Sequence, residues 1–471
     1  MNTPGAGFRG KKVVLISWIL GLSLMTLNAG AGLAGSDSGG ALVRASDLQL
    51  ELRPALALYG TPFSMKITGL APGEQVTVKA RSTDEKKIVW ESSAVFAAGD
   101  SGVVDVALQS PISGSYSAGD IFGLLWSMQP QNPPGKKKIG YRENETSGNV
   151  VDFSASDSTG RTASARLERL FQMPDRKLAR VSLDKNGLRG CLYYPEQGGP
   201  FPGVLILAGS GGGIYEWLAQ AFASNGFAAL NLAYFNYKDL PPELVEIPVE
   251  YFQRAVEWMK AQPSIKPDRI ALAGGSKGGE LALLLASGYI DFSAVVAWTP
   301  GEHVWEGLSL KFFDKDYVPI SSWSYKGQAL PFVRFIYTPE ELEKEKIGEL
   351  RSFVPAHDRS LAHGDPALIE KAMIPVENIK SPLLLISGTD DQTWPADRFC
   401  RNITVKLKKG GFPYELKHIS HPGGGHMSFL PYLITANRGG GVSGGSPQAD
   451  ARAGFISWEE TLQFLHRHLD R

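Results

Sequence analysis

The chain is poor in cysteine and carries no excess of charge. Two cysteines, Cys191 and Cys400, occur among 471 residues, which excludes a framework of several disulfides, and they lack the paired spacing of a zinc site. We predict that both are buried thiols. Lysine plus arginine equals aspartate plus glutamate, at 48 each, so the composition does not indicate a nucleic-acid partner. The densest basic run, 136–138, has no interleaved aromatic residues and is predicted to be a solvated loop.

Motifs for metals and coiled coils are also missing. The sequence contains no H-E-x-x-H, no EF-hand loop and no sustained heptad pattern. We therefore predict no metal site and no cofactor, and we look for chemistry that side chains and backbone amides can perform by themselves.

The amino terminus has the pattern of a secretory signal peptide. Three basic residues within positions 9–12 precede an apolar run at 13–27, and small residues follow at 29–31. The run is shorter than the roughly 20 residues of a membrane helix, so we predict a signal peptide at 1–31 and no stable membrane span after its cleavage. An uncleaved anchor is the alternative. We therefore expect the protein to be exported to the periplasm or secreted. If the leader does not function as a signal peptide, we expect the protein in the cytoplasm.

Two regions of different pattern follow a flexible leader at 32–47, which is rich in glycine, serine and alanine. From 48 to 175, short alternating apolar stretches such as 65–67 and 75–80 are separated by turn sequences. This pattern predicts an all-β sandwich domain.

From 176 to 471, apolar strands alternate with segments whose apolar residues recur every three or four positions, such as 251–259. This predicts a mostly parallel sheet with flanking helices. The glycine-rich segment 438–448 is predicted to be a mobile excursion, and 462–469 to be the last helix.

A G-x-S-x-G pentapeptide at 274–278 is the most informative motif. It follows the apolar run 270–273 and leads into the helical pattern of 279–285. The bare motif is often chance in a glycine-rich chain. A strand, a tight turn and a helix in succession are instead typical of the nucleophile elbow of an α/β hydrolase, which lifts the Oγ of Ser276 above the sheet.

A second glycine-rich stretch, 208–213, follows the buried strand at 204–207. An α/β hydrolase builds its oxyanion hole from the amide after the nucleophile, here Lys277, and an amide of such an early loop, here Ser210 or Gly211. The alternative is a phosphate-binding loop. That reading lacks both the Lys-Ser/Thr ending of a P-loop and a suitable acidic residue after the next strand.

Two neighbouring carboxylates are candidates for the acid that orients the histidine. The buried strand at 382–387 is followed by Asp390 and Asp391, and acids of this kind lie in loops at the carboxyl ends of strands. Asp391 is the first choice and Asp390 the alternate, because spacing alone does not separate them. The other is predicted to be a turn residue.

The base is expected last in the order Ser, Asp, His. His426 fits this order, on a glycine-rich loop beyond the last predicted strand. His418 and His421 are the alternatives. Only His426 has glycines immediately before it, which favours it as the residue that reaches the serine.

Several runs of residues resemble one known family. The runs 236–241, 250–256 and 275–281 are similar to the acyl-CoA thioesterase and bile acid-CoA:amino acid N-acyltransferase family. The runs 69–77 and 122–128 are similar to the β-sandwich of that family.

The resemblance implies an α/β hydrolase behind an immunoglobulin-like sandwich, with Ser276, Asp391 and His426 as a catalytic triad. The branch that conjugates bile acids looks to use cysteine, whereas a serine gives an oxygen ester that water cleaves. We therefore expect hydrolysis of an acyl thioester, with acyl-CoA giving free acid and CoA.

A leader for export argues against a cytosolic CoA ester as the small-molecule substrate. The alternatives are an exported carboxylesterase or dienelactone-hydrolase-like enzyme acting on an ester, an acyl-CoA:amino acid N-acyltransferase, and a binding module without activity. The complete set of serine, aspartate and histidine argues against the last.

Overall fold

The computed structural model describes residues 47–133, 139–144, 147–429, 434–436 and 440–470. The predicted signal peptide, the leader up to residue 46 and the basic run at 136–138 lie outside these residues. The two thiols that the sequence predicts to be buried, Cys191 and Cys400, are buried and free.

Short strands and a short helix make up the amino-terminal part. In chain order the elements are β1 (Gln49–Arg53), β2 (Leu56–Leu58), β3 (Ser64–Thr68), β4 (Gln75–Thr83), β5 (Val89–Ala97), β6 (Val104–Asp105), β7 (Ser113–Gly114), α1 (Gly123–Trp126), β8 (Gln129–Pro130), β9 (Asn149–Asp157) and β10 (Thr162–Leu170). A smaller sheet has the order β1-β3-β6 and a larger one β2-β10-β9-β4-β5-β7, with β8 paired to β5.

Alternation of side chains explains why these sheets pack face to face. Along β4 every second residue is buried, because successive side chains of a strand point to opposite faces. The inner faces supply one apolar cluster, to which Ile67, Val78, Trp90 and Phe153 belong. The predicted β-sandwich is confirmed.

The carboxyl-terminal part alternates strands and helices. Its elements are β11 (Leu178–Lys185), β12 (Leu188–Pro195), β13 (Phe201–Leu207), α2 (Glu216–Ser224), β14 (Ala228–Ala233), β15 (Ile247–Pro248), α3 (Val249–Lys260), β16 (Ile265–Gly275), α4 (Lys277–Gly288), β17 (Ala294–Trp298), β18 (Trp323–Tyr325), β19 (Gln328–Ala329), α5 (Pro339–Lys346), α6 (Val354–His363), α7 (Pro366–Ala372), β20 (Leu383–Gly388), α8 (Ala396–Lys409), β21 (Leu416–His421) and α9 (Pro447–Leu469). Short 3-10 turns occur at Val376–Asn378 and Gly441–Ser443.

The main sheet has the strand order β11-β12-β14-β13-β16-β17-β20-β21. The pairs from β14 to β21 are parallel, and β11 and β12 add an antiparallel edge. Helices α3, α4 and α8 cover one face, and α2 and α9 cover the other. Burial on both faces explains the continuous apolar runs of the central strands. The carboxyl ends of β16, β20 and β21 meet at one edge, where ligands of open α/β sheets bind.

The last helix is longer than the sequence predicts. It begins at Pro447 instead of residue 462, and the side chain of Ser446 accepts a hydrogen bond from the amide of Ala449 at its start. The first turns carry alanine and glycine, which pack closely without a strong apolar period. The apolar periodicity of a helix is therefore clear only in the second half of α9, where the sequence predicts it.

Candidate active site

Ser276 stands at the sharp turn between β16 and α4. Its backbone has φ 59° and ψ −123°, a combination that side chains other than glycine rarely adopt. Gly274 and Gly278 permit the turn, because a Cβ on Gly274 would lie 2.1 Å from the carbonyl oxygen of Gly278. The amide of Ser276 donates to the carbonyl of Trp298, 2.9 Å away. The predicted elbow therefore has the strained geometry of a nucleophile turn.

Ser276, His426 and Asp391 form one continuous chain of hydrogen bonds. The Oγ of Ser276 is 2.8 Å from Nε2 of His426, and Nδ1 of His426 is 2.8 Å from Oδ2 of Asp391. The other carboxylate oxygen accepts from the amides of Thr393 at 2.9 Å and Trp394 at 3.3 Å. Asp391 and His426 are 5% and 6% exposed. The structure thus brings together the three residues singled out from the sequence.

Hydrogen bonds hold the histidine loop on both sides. The amide of His426 donates to the carbonyl of Ser443 at 2.7 Å, and the amide of Gly425 donates to Oδ1 of Asp450 at 2.7 Å. The amide of Gly445 donates to Oδ2 of Asp390 at 2.9 Å. The glycine-rich segment predicted as a mobile excursion is therefore packed against the acid and histidine loops in residues 440–445, which corrects that prediction.

The alternative acid and bases have other partners. Asp390 accepts from the side chain of Gln392 and from the amide of Gly445, as a turn residue would. His421 shares a hydrogen bond with Ser457 at 2.8 Å, and His418 with Ser387 at 2.8 Å. Burial lowers the pKa of both histidines to about 4. Neither of them contacts Ser276 in the described part of the chain.

The loop predicted to supply part of an oxyanion hole lies beside Ser276. A Cβ on Gly209 would lie 3.7 Å from the Oγ of Ser276, so the loop that carries Ser210 and Gly211 passes directly beside the serine. The amides of Ser210, Gly211 and Lys277 donate to no described residue. Lys277 also begins α4, where the helix dipole favours negative charge. The loop and the start of α4 are therefore both next to the serine.

A buried ion pair behind the elbow was not foreseen from the sequence. Nζ of Lys277 lies 2.8 and 2.7 Å from the two carboxylate oxygens of Glu280. Glu280 also accepts from the indole of Trp323 at 2.8 Å and from the amide of Trp305 at 3.3 Å. Burial lowers the pKa of Lys277 and raises the pKa of Glu280. The pair ties the first turn of α4 to the segment between β17 and β20.

Neither a metal cluster nor a membrane-spanning helix occurs in the residues that the structure describes. There, no group of three or more His, Cys, Asp or Glu side chains is arranged to hold a metal ion. Within the same residues, no helix is both long enough and apolar enough to cross a membrane.

A mainly parallel sheet covered by helices on both faces, with a serine at a strained elbow, defines the α/β-hydrolase class. The family model "Acyl-CoA thioester hydrolase/BAAT N-terminal region" matches residues 60–182, and "BAAT / Acyl-CoA thioester hydrolase C terminal" matches residues 247–471. The chain belongs to the acyl-CoA thioester hydrolase/BAAT family, as the sequence resemblance indicated.

Relatives match the chain over most of its length. Acyl-coenzyme A thioesterase 1 of Mus musculus is 30% identical over 432 residues, which cover 89% of this chain and 96% of that protein. Mitochondrial acyl-coenzyme A thioesterase 2 of Mus musculus is 30% identical, with 87% of each chain covered. Among solved structures, an acylaminoacyl peptidase of Pyrococcus horikoshii aligns with 88% of this chain and 60% of its own, at 14% identity and a TM-score of 0.40.

Proposed function

We propose that this chain hydrolyses acyl-CoA thioesters to a free carboxylic acid and CoA, with Ser276, His426 and Asp391 as its catalytic triad. The observation that carries the proposal is the unbroken hydrogen-bond chain from Asp391 through His426 to a serine at a strained elbow. Membership in a family whose relatives are named acyl-coenzyme A thioesterases supports the choice of substrate.

Acylation begins when His426 takes the proton of Ser276. Asp391 accepts a hydrogen bond from the Nδ1–H of the imidazole, which leaves the lone pair of Nε2 free to act as the base toward Oγ. Oγ then attacks the thioester carbonyl. The amide of Lys277 and an amide of Ser210 or Gly211 stabilise the negative oxygen that forms. The thiolate of CoA leaves, and because a thiol has a pKa near ~8.5 it needs little protonation by a general acid.

Deacylation uses the same groups in a second round. The imidazolium of His426 first gives the proton that it took from Ser276 to the departing thiolate or to solvent, and water takes the place of CoA. His426 then removes a proton from that water as its oxygen attacks the acyl ester, and it returns the proton to the Oγ of Ser276 as the carboxylic acid leaves. A serine ester is less prone to attack by an amine than a cysteine thioester, so Ser276 supports hydrolysis over acyl transfer.

A substrate panel tests this function. Protein that lacks residues 1–31 would be given acyl-CoAs of several lengths and p-nitrophenyl esters, with release of CoA and of p-nitrophenol measured separately. We expect turnover of acyl-CoA that Ser276→Ala lowers by about 10⁴-fold or more. Ser210→Ala is the matched control, because it removes an exposed hydroxyl beside the elbow and keeps the backbone amide. Turnover of oxygen esters alone would replace the proposal with a carboxylesterase.

We also propose export of the chain, on the signal-peptide pattern of residues 1–31. A charged start, a short apolar run and small residues are the features that signal peptidases read. Amino-terminal sequencing of protein recovered outside the cytoplasm should begin near residue 32 or 35. Intact Met1 on cytoplasmic protein would contradict export and would remove the conflict with a cytosolic CoA ester.

A further inference from the structure

Glu143 is a buried carboxylate of the amino-terminal part with an unusual set of partners. It is 4% exposed. Its Oε2 accepts from the hydroxyl of Tyr59 and from the side-chain amide of Asn149, each at 2.7 Å. Its Oε1 accepts from the backbone amide of Ile434. All three partners are donors, so both oxygens of the side chain have to be acceptors, which a carboxylate provides and an amide does not.

Ile434 belongs to a short crossover segment, residues 434–436, that lies inside the sandwich. Ile434 and Ala436 are fully buried in the same apolar cluster as the inner faces of the sandwich sheets. The carbonyl of Ala436 accepts from the amide of Tyr141 at 3.0 Å. Backbone hydrogen bonds and apolar packing therefore fix the crossover segment to the amino-terminal part, although it comes late in the chain.

The crossover segment follows the histidine loop closely. His426 and Phe429 precede it, and residues 430–433 connect Phe429 to it. At about 3.6 Å for each residue, at most roughly 18 Å of chain separates Phe429 from Ile434. The ring of Phe429 stacks on Trp298 with 5.3 Å between centroids. The histidine loop is thus held at Phe429 by the main sheet and just beyond it by the sandwich.

The glycines at the start of the histidine loop contribute no side-chain packing, so the loop depends on its hydrogen bonds to Ser443 and Asp450 and on the segment that follows it. Gly423, Gly424 and Gly425 precede His426, and glycine loses more conformational freedom on folding than any other residue. The ring of His426 nevertheless has to hold Nε2 at 2.8 Å from the Oγ of Ser276 and Nδ1 at 2.8 Å from Oδ2 of Asp391. A loop with a free end would sample other positions, whereas a loop whose following segment is anchored has few alternatives.

We propose that Glu143 is a positioning residue: it anchors the crossover segment in the sandwich and so holds His426 in line with Ser276. This rests on the proposed role of His426 as the catalytic base. Through this anchor the sandwich affects the rate of the reaction, although Glu143 does not contact the substrate. Misplacement of a reacting group by 1 Å lowers a rate by as much as about 100-fold, so loss of the anchor reduces kcat and leaves KM nearly unchanged.

The test compares Glu143→Gln with Asp84→Asn in the full mature chain. Asp84 is also a buried carboxylate of the sandwich, at 3% exposure, but it accepts from Ile88 and Trp90 of the sandwich itself. The measurements are kcat, KM, thermal stability, and the rate at which a fluorophosphonate labels Ser276. Labelling needs no acyl-CoA, so it reports on the alignment of His426 with Ser276 even if the proposed substrate is wrong.

We expect Glu143→Gln to lower kcat and the labelling rate together by about 10-fold or more, with KM within about twofold. Asp84→Asn is expected to lower thermal stability and to leave kcat and labelling within about twofold. The proposal is overturned if folded Glu143→Gln protein keeps the wild-type labelling rate. It is equally overturned if Asp84→Asn slows labelling to the same extent.

A second pair of variants decides the matter if Glu143→Gln protein does not fold. Ile434→Ala and Ile67→Ala each truncate a fully buried isoleucine of the same apolar cluster. Only Ile434 belongs to the crossover segment, so Ile434→Ala alone is expected to slow labelling. Equal labelling rates in the two variants would overturn the proposal.

Discussion

Trp394 donates its indole N–H to the carbonyl oxygen of Thr299, 2.9 Å away. Thr299 follows β17 with φ 42°, which is an outlier for a β-branched residue. The ring of Trp394 stands edge-on to His426, with 6.0 Å between centroids, and its amide donates to Asp391. The carbonyl of a strained residue at the end of β17 thus accepts from Trp394, whose ring packs against the histidine and whose backbone amide binds the acid.

Trp394→Phe is expected to lower stability by about 1–3 kcal/mol more than Trp305→Phe. Both variants leave a similar gap, but only the first leaves a buried carbonyl without its donor. The indole N–H of Trp305 is buried and has no hydrogen-bond partner among the residues that the structure describes. Urea denaturation measures both losses. Equal losses would mean that the hydrogen bond to Thr299 contributes nothing to stability.

Asp391→Asn is expected to lower kcat by about 10⁴-fold, because the amide favours the wrong tautomer of His426. Asp390→Asn is the matched control, since it changes the neighbouring carboxylate in the same way. The side chain of Asp390 binds Gln392 and Gly445 instead of His426, and we expect a loss below about tenfold. Steady-state kinetics on both variants give the ranking. The reverse ranking would transfer the role of acid to Asp390.

Ser276→Cys should shift the balance from hydrolysis toward acyl transfer. An acyl thioester on the enzyme is more prone to attack by an amine than an oxygen ester. With acyl-CoA and excess glycine or taurine, native protein is expected to release free acid, and the variant to form more amide. The shift is small if no pocket binds the amine. Mass spectrometry of the products distinguishes the two. Amide as the main product of the native serine enzyme would identify an acyltransferase.

Buried histidines should make the fold sensitive to acid. Burial lowers the pKa of His303, His357, His418 and His421 to about 4, against about 6.5 in an unfolded chain. Between these values the unfolded chain binds more protons, so the free energy of unfolding falls as the pH drops from about 6.5 to about 4 and levels off below. A shift of this size corresponds to at most about 3 kcal/mol for each histidine.

Denaturation at pH 7 and at pH 5 tests this dependence. His357→Phe removes one of the four histidines, from an aromatic surrounding that includes Trp305 and Phe335. It should reduce the difference in unfolding free energy between the two pH values. His363→Gln changes an exposed residue at the other end of α6 and should leave the difference as it is. A difference that is the same in both variants would exclude His357 as a source of the acid sensitivity.

The positions of Ser276, Asp391 and His426 follow from local rules. Ser276 and Asp391 each lie just after an apolar run that could be recognised as a strand, and His426 lies on a glycine-rich loop beyond the last predicted strand. Parallel strands bring their carboxyl ends to one edge. The two-part fold could be predicted for a similar reason, because alternation in the sandwich and helical spacing in the hydrolase part are visible within short windows.

The supports of the site could not be predicted in this way. Thr299 and Trp394 meet across β17 and the acid loop, and residues 440–445 reach the histidine loop through backbone hydrogen bonds. Backbone carbonyls carry no sequence signal, and a glycine-rich run looks the same whether it is free or packed. Ile434 belongs to an apolar run at 429–436, and nothing within that run indicates that its partners lie in the sandwich, far away in the sequence.

The apolar clusters of the two parts exchange residues. Tyr59 and Phe171 pack in the cluster of α2 and α9, whereas the crossover segment packs in the sandwich. Neither part can unfold alone without exposing apolar surface of the other part to water. Such exposure costs a free energy of about 25 cal/mol for each Å². Heating should therefore give a single calorimetric transition. A chimera that takes its sandwich from a relative would also have to take residues 434–436 from that relative. These residues come late in the chain, but the side chains of Ile434 and Ala436 pack in the core of the sandwich.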